Sequence, residues 1–476
     1  MKPGLLLPES ALAAGAVITL LAGSWTPRHL QWIVRCVALL SLAAAIAFAA
    51  VAMTRPAMVT PQGIYALDAA LHLARVAVPA GAAVTILLAA DHVAGHRRES
   101  EFYVLVLLGA LGTVVMAGAS DLLVLASGYL LASIPVYALV GFGKDAPGTE
   151  AALKYYLVGA LCGVLLLAGV TTVFGVGTAG DYATLAHTLP EAPAGAVAVG
   201  TVALVAGLLF KSGAVPAHFW IPDATQGAPA PVAAFITTVP KIGALAAIYR
   251  FADQVLGDTG LNWSLLAALL AAASMTLGNL AAFFQDDTRR LLAYSTIGQI
   301  GYLLMAVAAV HGSDTALSSL LFYLAAYTVT NLGAFAVVCA LPHARTLADY
   351  TGLMRSRPWL ALSLIVCLLG LVGTPPTAVF IGKLTVFTAA LDAGLVWLVV
   401  LAAANTVASL FYYLRWILPL FRSAAEDAPA DRGGDVNVPV ARWSAGVAVC
   451  AAAATLALGI GSSPLLELVQ TGVLVR

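Results

Sequence analysis

Long apolar segments, each close to 20 residues, recur along the whole chain and are separated by short polar stretches. A helix needs about 20 apolar residues to cross the hydrocarbon core of a bilayer. The segments are rich in Ala, Leu, Val and Gly and lack a period of two, which favours helices over a membrane β-barrel. Only 10% of the 476 residues are charged, against about 25% in soluble domains. The sequence therefore predicts an all-α integral membrane protein.

The apolar segments number about fourteen, and no connection is long enough to hold a separate soluble domain. We therefore expect a single membrane domain over residues 1–476. The predicted spans are 5–24, 31–53, 66–90, 101–119, 121–142, 151–175, 196–221, 228–250, 260–284, 290–311, 315–341, 359–384, 391–418 and 442–465. The longest polar connection lies around 421–440. Its charged residues include Glu426, Asp427, Asp431, Arg432 and Asp435.

Lysine and arginine are distributed unequally between the two sides that these spans define. The basic residues of the odd-numbered connections are Arg28, Arg97, Arg98, Lys144, Arg289, Arg290, Arg345, Arg355, Arg422 and Arg432. The even-numbered connections have almost none beyond Arg55 and Arg250 at helix ends. Because cytoplasmic loops are enriched in Lys and Arg, we expect the odd connections in the cytoplasm. Both termini would then lie on the outer side of a bacterial inner membrane.

Several classes of protein are disfavoured by the composition. The five cysteines, Cys36, Cys162, Cys339, Cys367 and Cys450, are scattered singly within apolar runs. Without a CxxC pair or a Cys/His cluster, we expect no disulfide framework, iron–sulfur site or zinc site. The net charge is zero, so nothing supports a nucleic-acid partner. The N-terminal segment has no cleavage motif before a soluble domain and is interpreted as the first span rather than a signal peptide.

Three lysines, Lys211, Lys241 and Lys383, lie deep within predicted spans. Each costs about 2.5–3.5 kcal/mol at mid-membrane on insertion scales. The structural alternative is that their ammonium groups reach the interface along extended stems. That alternative is weakest for Lys241, which has about nine apolar or small residues on either side. Removal from water favours the neutral amine and brings proton exchange toward physiological pH, so the three lysines suit a proton relay.

Prolines accompany two of these lysines. Lys211 precedes Pro216 and Pro222, and Lys383 follows Pro375 and Pro376. A proline within a span removes a backbone hydrogen bond and breaks the helix. Broken backbone at membrane depth is tolerated only inside protein or beside a hydrated cavity. Two broken, lysine-bearing helices five spans apart are typical of two structurally repeated halves.

Other polar residues lie near the breaks. His218 lies between the two prolines of the first break, and a proton-shuttle role competes there with an ordinary structural role. Asp223 is expected to cap or charge-balance the same break. A further set of polar residues is placed to hold water between the lysines or to form ordinary hydrogen bonds between helices. These are Thr237, Thr238, Ser295, Thr296, Gln299, Tyr302, Tyr327, Thr328, Thr330 and Asn331.

The first break and the span after it read FKSGAVPAHFWIPDATQGAPAPVAAFITTVPKIGALAAIYR. This stretch resembles the signature region of the antiporter-like membrane subunits of respiratory complex I, the proton-pumping NADH:quinone oxidoreductase. Matching segments follow the family's order and spacing over nearly the whole chain. They are EFYVLVLLGALG, EAALKYYLVGA, NLAAFFQDDTRRLLAYSTIGQIGYLL, GTPPTAVFIGK and FYYLRWILPLF. The multisubunit Na⁺/H⁺ antiporters share the fold but match these segments less well.

The resemblance implies fourteen helices with two inverted five-helix repeats, spans 4–8 and 9–13, in which helices 7 and 12 are broken. We expect helices 1–3 over 1–100, the first repeat over 101–250, the second over 251–420, and a loop with helix 14 over 421–476. In the family, the lysines at the positions of Lys211, Lys241 and Lys383 form the proton path. The resemblance also implies that NADH, FMN, iron–sulfur clusters and quinone are bound by partner subunits, and that the other membrane subunits and the lipid bilayer surround this chain.

Two positions depart from the family pattern. Leu130 stands where the family usually has a glutamate that pairs with the lysine of the seventh helix, and Gln299 stands where it usually has a histidine. Asp121, Glu150 and Asp68 are possible substitutes for the missing acid, although all lie near helix ends. The preferred function is proton translocation within complex I. The alternatives are a scaffold paralogue with impaired pumping, and a subunit of a related cation/proton antiporter or membrane-bound hydrogenase complex.

Overall fold

Helices form almost all of the computed structural model, which describes residues 3–422, 440–470 and 474–475. The first group of elements comprises α1 (Leu7–Trp25), α2 (Gln31–Met53), β1 (Met58–Val59), β2 (Ala66–Leu67), α3 (Ala69–Val93), α4 (Glu99–Gly118), α5 (Leu122–Val140), α6 (Ala146–Gly177) and α7 (Tyr182–Thr188). The next comprises α8 (Ala194–Ser212), α9 (Trp220–Gly227), α10 (Ala230–Val255), α11 (Trp263–Ala282), α12 (Thr288–Ala308) and α13 (Ala316–Ala340). The last comprises α14 (Leu353–Ser356), α15 (Pro358–Val372), α16 (Ala378–Asp392), α17 (Val396–Phe421), α18 (Arg442–Ile460) and α19 (Ser463–Gln470).

Each of the fourteen predicted spans coincides with a helical segment. Within the described residues, thirteen helices are long and apolar enough to cross a membrane, and α15 is a shorter apolar helix. The seventh span is divided into α8 and α9, and the twelfth into α15 and α16, as the prolines predict. The expected all-α membrane fold is therefore confirmed. The charged residues predicted in the 421–440 connection, Glu426, Asp427, Asp431, Arg432 and Asp435, lie outside the described residues.

The connections between helices gather on two opposite faces. On one face, Arg98 donates to the carbonyl of Phe142 at 2.6 Å, joining the connections before α4 and α6. A bridge between Asp287 and Thr346 joins two further odd-numbered connections. We call this side the basic face. On the opposite face, bridges join Tyr65 to Ala119 and Asp121 to Asp181, all in or beside even-numbered connections.

The centre of the protein is formed by α10, α12 and α13, which are buried along nearly their whole length. In contrast, only a minority of the residues of α1, α2, α17 and α18 are buried, and each helix exposes large apolar side chains. Such an arrangement is unfavourable in water but suits a bilayer, whose acyl chains can cover exposed apolar side chains. The lysine-bearing breaks lie beside this buried centre.

Two buried ion pairs lie near the opposite face, one joining the start of α3 to α10 and the other joining α1 to α3. Asp68 binds Arg250 with oxygen–nitrogen distances of 2.5 and 2.8 Å. Glu9 binds Arg75 at 2.8 Å. The sequence suggested that Arg250 stands at a helix end, but it lies inside α10, five residues before the last residue, and is fully buried. Asp68 compensates its charge, so no route to water is needed.

Candidate functional site

The seventh span is interrupted between α8 and α9. Gly213 follows α8 with a φ of 85°, a conformation that glycine adopts without the steric cost of a Cβ atom. A Cβ at this position would collide with the side chain of Ile221 and lie 3.1 Å from Nζ of Lys241. Pro216 has no N–H to continue the helix. The break therefore leaves the backbone carbonyls at the end of α8 accessible to side chains from α10.

Lys211 and Lys241 meet at this break. Nζ of Lys241 donates to the carbonyl oxygen of Lys211 at 3.3 Å and lies 4.7 Å from the centre of the Trp220 ring. Nζ of Lys211 donates to the carbonyl of Ala132 and to Oγ of Ser133 at 3.1 Å. Both lysine side chains are fully buried. The backbone of one lysine thus binds the side chain of the other.

The twelfth span repeats the arrangement. α15 ends at Val372, and Gly373 follows with a φ of 88°. Nζ of Lys383 donates to the carbonyl of Val372 at 2.8 Å and to Oγ1 of Thr406 at 3.3 Å. It also lies 4.0 Å from the centre of the Tyr302 ring. The carbonyl end of a helix carries partial negative charge, and half-helix ends bind cations in membrane transporters, so both breaks provide a setting for a protonated amine.

Lys211, Lys241 and Lys383 share an environment without a carboxylate. In the part of the chain that the structure describes, none of the three forms an ion pair. Their partners are backbone carbonyls, hydroxyls and aromatic rings, which do not fix a lysine permanently in the charged form. Burial disfavours the ammonium, while the carbonyls and rings favour it. The two effects act in opposite directions on each amine.

Hydrogen-bonded side chains extend from Lys241 toward the second half of the chain. Oη of Tyr327 donates to the carbonyl of Thr237, one turn before Lys241, at 2.8 Å and to Oγ1 of Thr296 at 3.0 Å. Nδ2 of Asn331 donates to Oγ1 of Thr238 at 2.7 Å. Oδ1 of Asn331 is buried without a partner, as expected where an internal water would bind.

Gln299, three residues after Thr296 on α12, forms a separate hydrogen-bonded group at the second break. Its Oε1 accepts a hydrogen bond from Tyr323 at 2.6 Å, and its Nε2 donates to the carbonyl of Leu371 at 2.7 Å. Leu371 directly precedes Val372, which binds Lys383. The other members of the polar set predicted from the sequence are divided. Ser295 bonds Tyr413, Tyr302 accepts from Thr406, and Thr330 bonds Thr455 of α18 at 2.8 Å. Thr328 bonds a carbonyl of its own helix.

His218 lies within the first break and is buried. Its ring packs against that of Phe219 at a centroid distance of 4.3 Å, and its Nδ1 is buried without a hydrogen-bond partner. It makes no hydrogen bond to Lys211 or Lys241 among the contacts of the described residues. The structure therefore places His218 in the same broken segment but does not join it directly to the lysines.

A charged cavity of about 400 Å³ lies at the basic face, beyond the C-terminal end of α9. Asp223 binds Lys154 at 3.0 Å and Arg290 at 2.7 Å across this cavity, rather than a lysine of the break. Burial tends to raise the pKa of Asp223, but the hydrogen bonds from Arg290 and Lys154 outweigh burial and hold the pKa below its ordinary value. The ion pairs thus attach the short helix α9 to both α6 and α12.

The two departures from the family pattern have different surroundings. Leu130 is 38% exposed on the outer surface of α5, whereas Gln299 is buried. The possible substitutes for the missing acid have other partners: Asp121 caps α5, Glu150 binds Lys154 and Asp68 binds Arg250. None of the three supplies a carboxylate to Lys211.

Several residues of the site were not singled out from the sequence. Trp220, Tyr323 and Thr406 contact the lysines or Gln299, and Lys154 helps to hold α9. Trp220 begins α9, two residues after His218, so its position beside the first break was a signal in the sequence. For Tyr323, Thr406 and Lys154 the sequence gives no comparable signal, because their contacts join residues far apart in the chain.

This fold of apolar helices, two of them interrupted beside buried lysines, defines a multi-pass membrane protein of the antiporter-like class. The family described as NADH:quinone oxidoreductase/Mrp antiporter, TM, matches residues 119–409. The chain belongs to this family of membrane subunits. Among curated proteins it is 53% identical to NADH-quinone oxidoreductase subunit N 1 of Streptomyces griseus, covering 98% of this chain and 97% of the relative. It is 50% identical to subunit N of a Mycobacterium species, covering 98% of each.

Solved structures show the same relationship. A chain of respiratory complex I from Thermus thermophilus with bound aureothin superposes with a TM-score of 0.83 at 32% identity, covering 97% of this chain and 99% of that one. A chain of the Mrp complex from a Dietzia species superposes with a TM-score of 0.86 at 24% identity, covering 99% of this chain and 97% of that one. The second similarity shows the shared fold alone. The sequence relatives place the chain with the subunit N proteins of complex I.

Proposed function

We propose that this chain conducts protons across the membrane as an antiporter-like subunit of NADH:quinone oxidoreductase. Lys211 is the switched site, Lys241 the central relay, and Lys383 the storage or exit site of the second half. The observation that carries the proposal is that all three amines are buried on neutral partners, and that two of them bind the free carbonyl end of a broken helix. A fixed ion pair would hold a lysine charged, whereas this setting permits exchange.

The proposed route begins at the charged cavity of the basic face. From there α9 leads to the break that contains His218, a possible shuttle, and then to Lys211 and Lys241. Two hydrogen-bonded groups on α12 then lie toward Lys383: Thr296 with Tyr327, and, three residues on, Gln299 with the carbonyl of Leu371. Water would have to join the two groups. An amide does not titrate near neutral pH, so a proton passing Gln299 would need water beside it.

The same proposal includes the orientation of the chain in the membrane and its partner subunits. The basic face would lie in the cytoplasm of a bacterial cell, following the enrichment of Lys and Arg in cytoplasmic loops, with both termini outside. Segments 101–250 and 251–420 would form the two inverted repeats. Electron transfer from NADH through FMN and iron–sulfur clusters to quinone would take place in partner subunits, with no redox centre in this chain.

One substitution tests the relay directly. Lys241→Met removes the amine but keeps an apolar side chain of similar length, so we expect fewer protons translocated per electron pair in an assembled complex. Lys144→Met changes an exposed lysine and serves as the matched control. If Lys241→Met supports normal assembly and normal pumping, the relay is wrong.

The scaffold alternative is favoured by one specific observation, which is that Lys211 has no acidic partner among the described residues while Leu130 replaces the family's glutamate. Leu130→Glu separates the two functions. A rise in protons translocated per electron pair would show that the native chain is impaired, whereas an unchanged value together with a loss in Lys241→Met supports the relay as it stands. Co-purification of NADH-oxidising flavin and iron–sulfur subunits in mild detergent tests the partners.

A further inference from the structure

Arg55 is an arginine on the face that otherwise lacks basic connections. Of the two exceptions to the charge distribution, Arg250 is explained by Asp68. Arg55 follows the end of α2, is exposed, and has no acidic partner among the described residues. Its guanidinium makes one long hydrogen bond, 3.5 Å, to the carbonyl of Gly4. Its charge is therefore available to a ligand.

An apolar groove begins at Arg55. It has a volume of about 360 Å³ and runs between the end of α2, the first turns of α3 and the C-terminal helix α19. Ala69, Leu73 and Val76 line one side, and their spacing places them on one face of α3. Leu465 and Val469 line the other side. Because α2 ends and α3 begins here, the groove lies at the level where spans meet the lipid headgroups.

A second, smaller cavity joins the head of this groove to a buried arginine. It has a volume of about 10 Å³, shares Arg55 and His72 with the groove, and reaches Arg75. Arg75 is 1% exposed, and its Nη1 has no hydrogen-bond partner although its other two nitrogens are bonded. A space of this size holds about one water molecule. Arg55 and His72 thus line both cavities, and Arg75 lines the smaller one.

We propose that this groove binds an anionic phospholipid of the leaflet on this face. The acyl chain lies along α3 and α19, and a phosphate oxygen accepts from Arg55, with a water linking the headgroup to Nη1 of Arg75. Phosphate is a preferred partner of the guanidinium fork, and an apolar groove facing the bilayer contacts acyl chains. Glu467, the acidic residue of α19, is exposed and does not line the groove. The inference is independent of the proton path.

The test uses the assembled complex in lipid nanodiscs that contain photoactivatable phosphatidylglycerol. Cross-linked peptides of this chain are then mapped by mass spectrometry. We expect labelling at Leu73 and Val76, with phosphatidylglycerol labelling severalfold more than phosphatidylcholine. Arg55→Gln should weaken labelling about tenfold, as loss of a charged hydrogen-bond partner predicts. Arg97→Gln, an exposed arginine of the basic face, should leave it unchanged.

A second variant distinguishes a loss of lipid binding from a loss of structure. Val76→Trp fills the groove and leaves Arg55 in place, so it should abolish labelling while the complex still assembles. Inorganic phosphate in solution should not compete, because it has no acyl chain. Equal labelling by phosphatidylcholine, competition by free phosphate, or labelling unchanged in Arg55→Gln would each overturn the proposal.

Discussion

A single buried lysine in this protein is stabilised by several weak partners rather than by one strong one. Lys383 combines a carbonyl at 2.8 Å, a hydroxyl at 3.3 Å and the face of a tyrosine at 4.0 Å. Cation–π contacts contribute about 2 kcal/mol when desolvated, and hydrogen bonds of a charged group about 1.5–3 kcal/mol. Such contributions have the sign and the order of magnitude needed to offset the insertion cost of a lysine, about 2.5–3.5 kcal/mol. Several neutral partners can therefore stabilise a buried ammonium without a carboxylate.

The buried arginines, in contrast to the lysines, are each paired with a carboxylate. Arg250 allows this difference to be tested. Arg250→Leu would leave the carboxylate of Asp68 buried and unpaired, which costs about 3–5 kcal/mol. We expect a large fall in the yield of assembled complex and in its thermal midpoint. The double variant Asp68→Leu with Arg250→Leu removes both charges and should recover most of the loss. Equal destabilisation of the single and the double variant would contradict a role in charge compensation.

At the scale of elements, the two breaks are built alike. In each, a helix ends at a glycine with positive φ, prolines follow, and a lysine donates to a carbonyl at the end of the helix. The lysine comes from a different helix in the first break and from the second half of the same span in the second. The glycines matter because a Cβ would occupy the space that the lysine uses.

Gly213→Ala tests this element. The change forces a residue with a Cβ into a left-handed conformation at a cost of about 1–2 kcal/mol and pushes against Ile221 and Lys241. We expect a lower thermal midpoint together with reduced proton translocation. Gly195→Ala, in the first turn of α8 where a Cβ meets nothing within 4 Å, is the matched control and should be neutral or slightly stabilising. Normal stability of Gly213→Ala would show that the break can accommodate a side chain.

At the scale of the whole molecule, Asp223 ties the first half of the chain to the second. It binds Lys154 of α6 and Arg290 of α12, so α9 cannot move without disturbing both. The pKa of Asp223 lies below its ordinary value because these hydrogen bonds outweigh the effect of burial. A carboxyl with a lowered folded pKa stabilises the fold above its unfolded pKa, and that contribution is lost as the pH falls through the folded value.

Asp223→Asn should therefore lower the thermal midpoint of the assembled complex at neutral pH. The difference from the native chain should stay constant down to about pH 4, the ordinary pKa of an aspartate, and shrink below it. Asp258→Asn alters an exposed aspartate of the opposite face and should show no such difference. If the difference in thermal midpoint instead grew as the pH fell, the ion pairs of Asp223 could not be its cause.

The sequence by itself determined the spans, the two breaks and the three buried lysines. Each depends on a local rule: an apolar run crosses the bilayer, a proline breaks a helix, and an ionisable residue in lipid is costly. The sequence also identified many of the polar side chains between the lysines, but not which of them bond one another. Thr296 and Thr330 looked equivalent, yet Thr296 bonds Tyr327 of α13, near Lys241, whereas Thr330 bonds a threonine of α18.

Only the tertiary structure decided which groups are the partners of the buried charged side chains. Asp68 and Arg250 are 182 residues apart, and Lys383 meets Tyr302 and Thr406 through three different spans. Such pairs depend on how helices rotate and pack. In a bilayer that rotation is set by packing against neighbouring helices, because lipid tails are as apolar as the buried side chains and do not distinguish one face of a helix from another. The sequence therefore shows where a lysine is costly to bury in the bilayer. Only the fold shows which groups offset that cost.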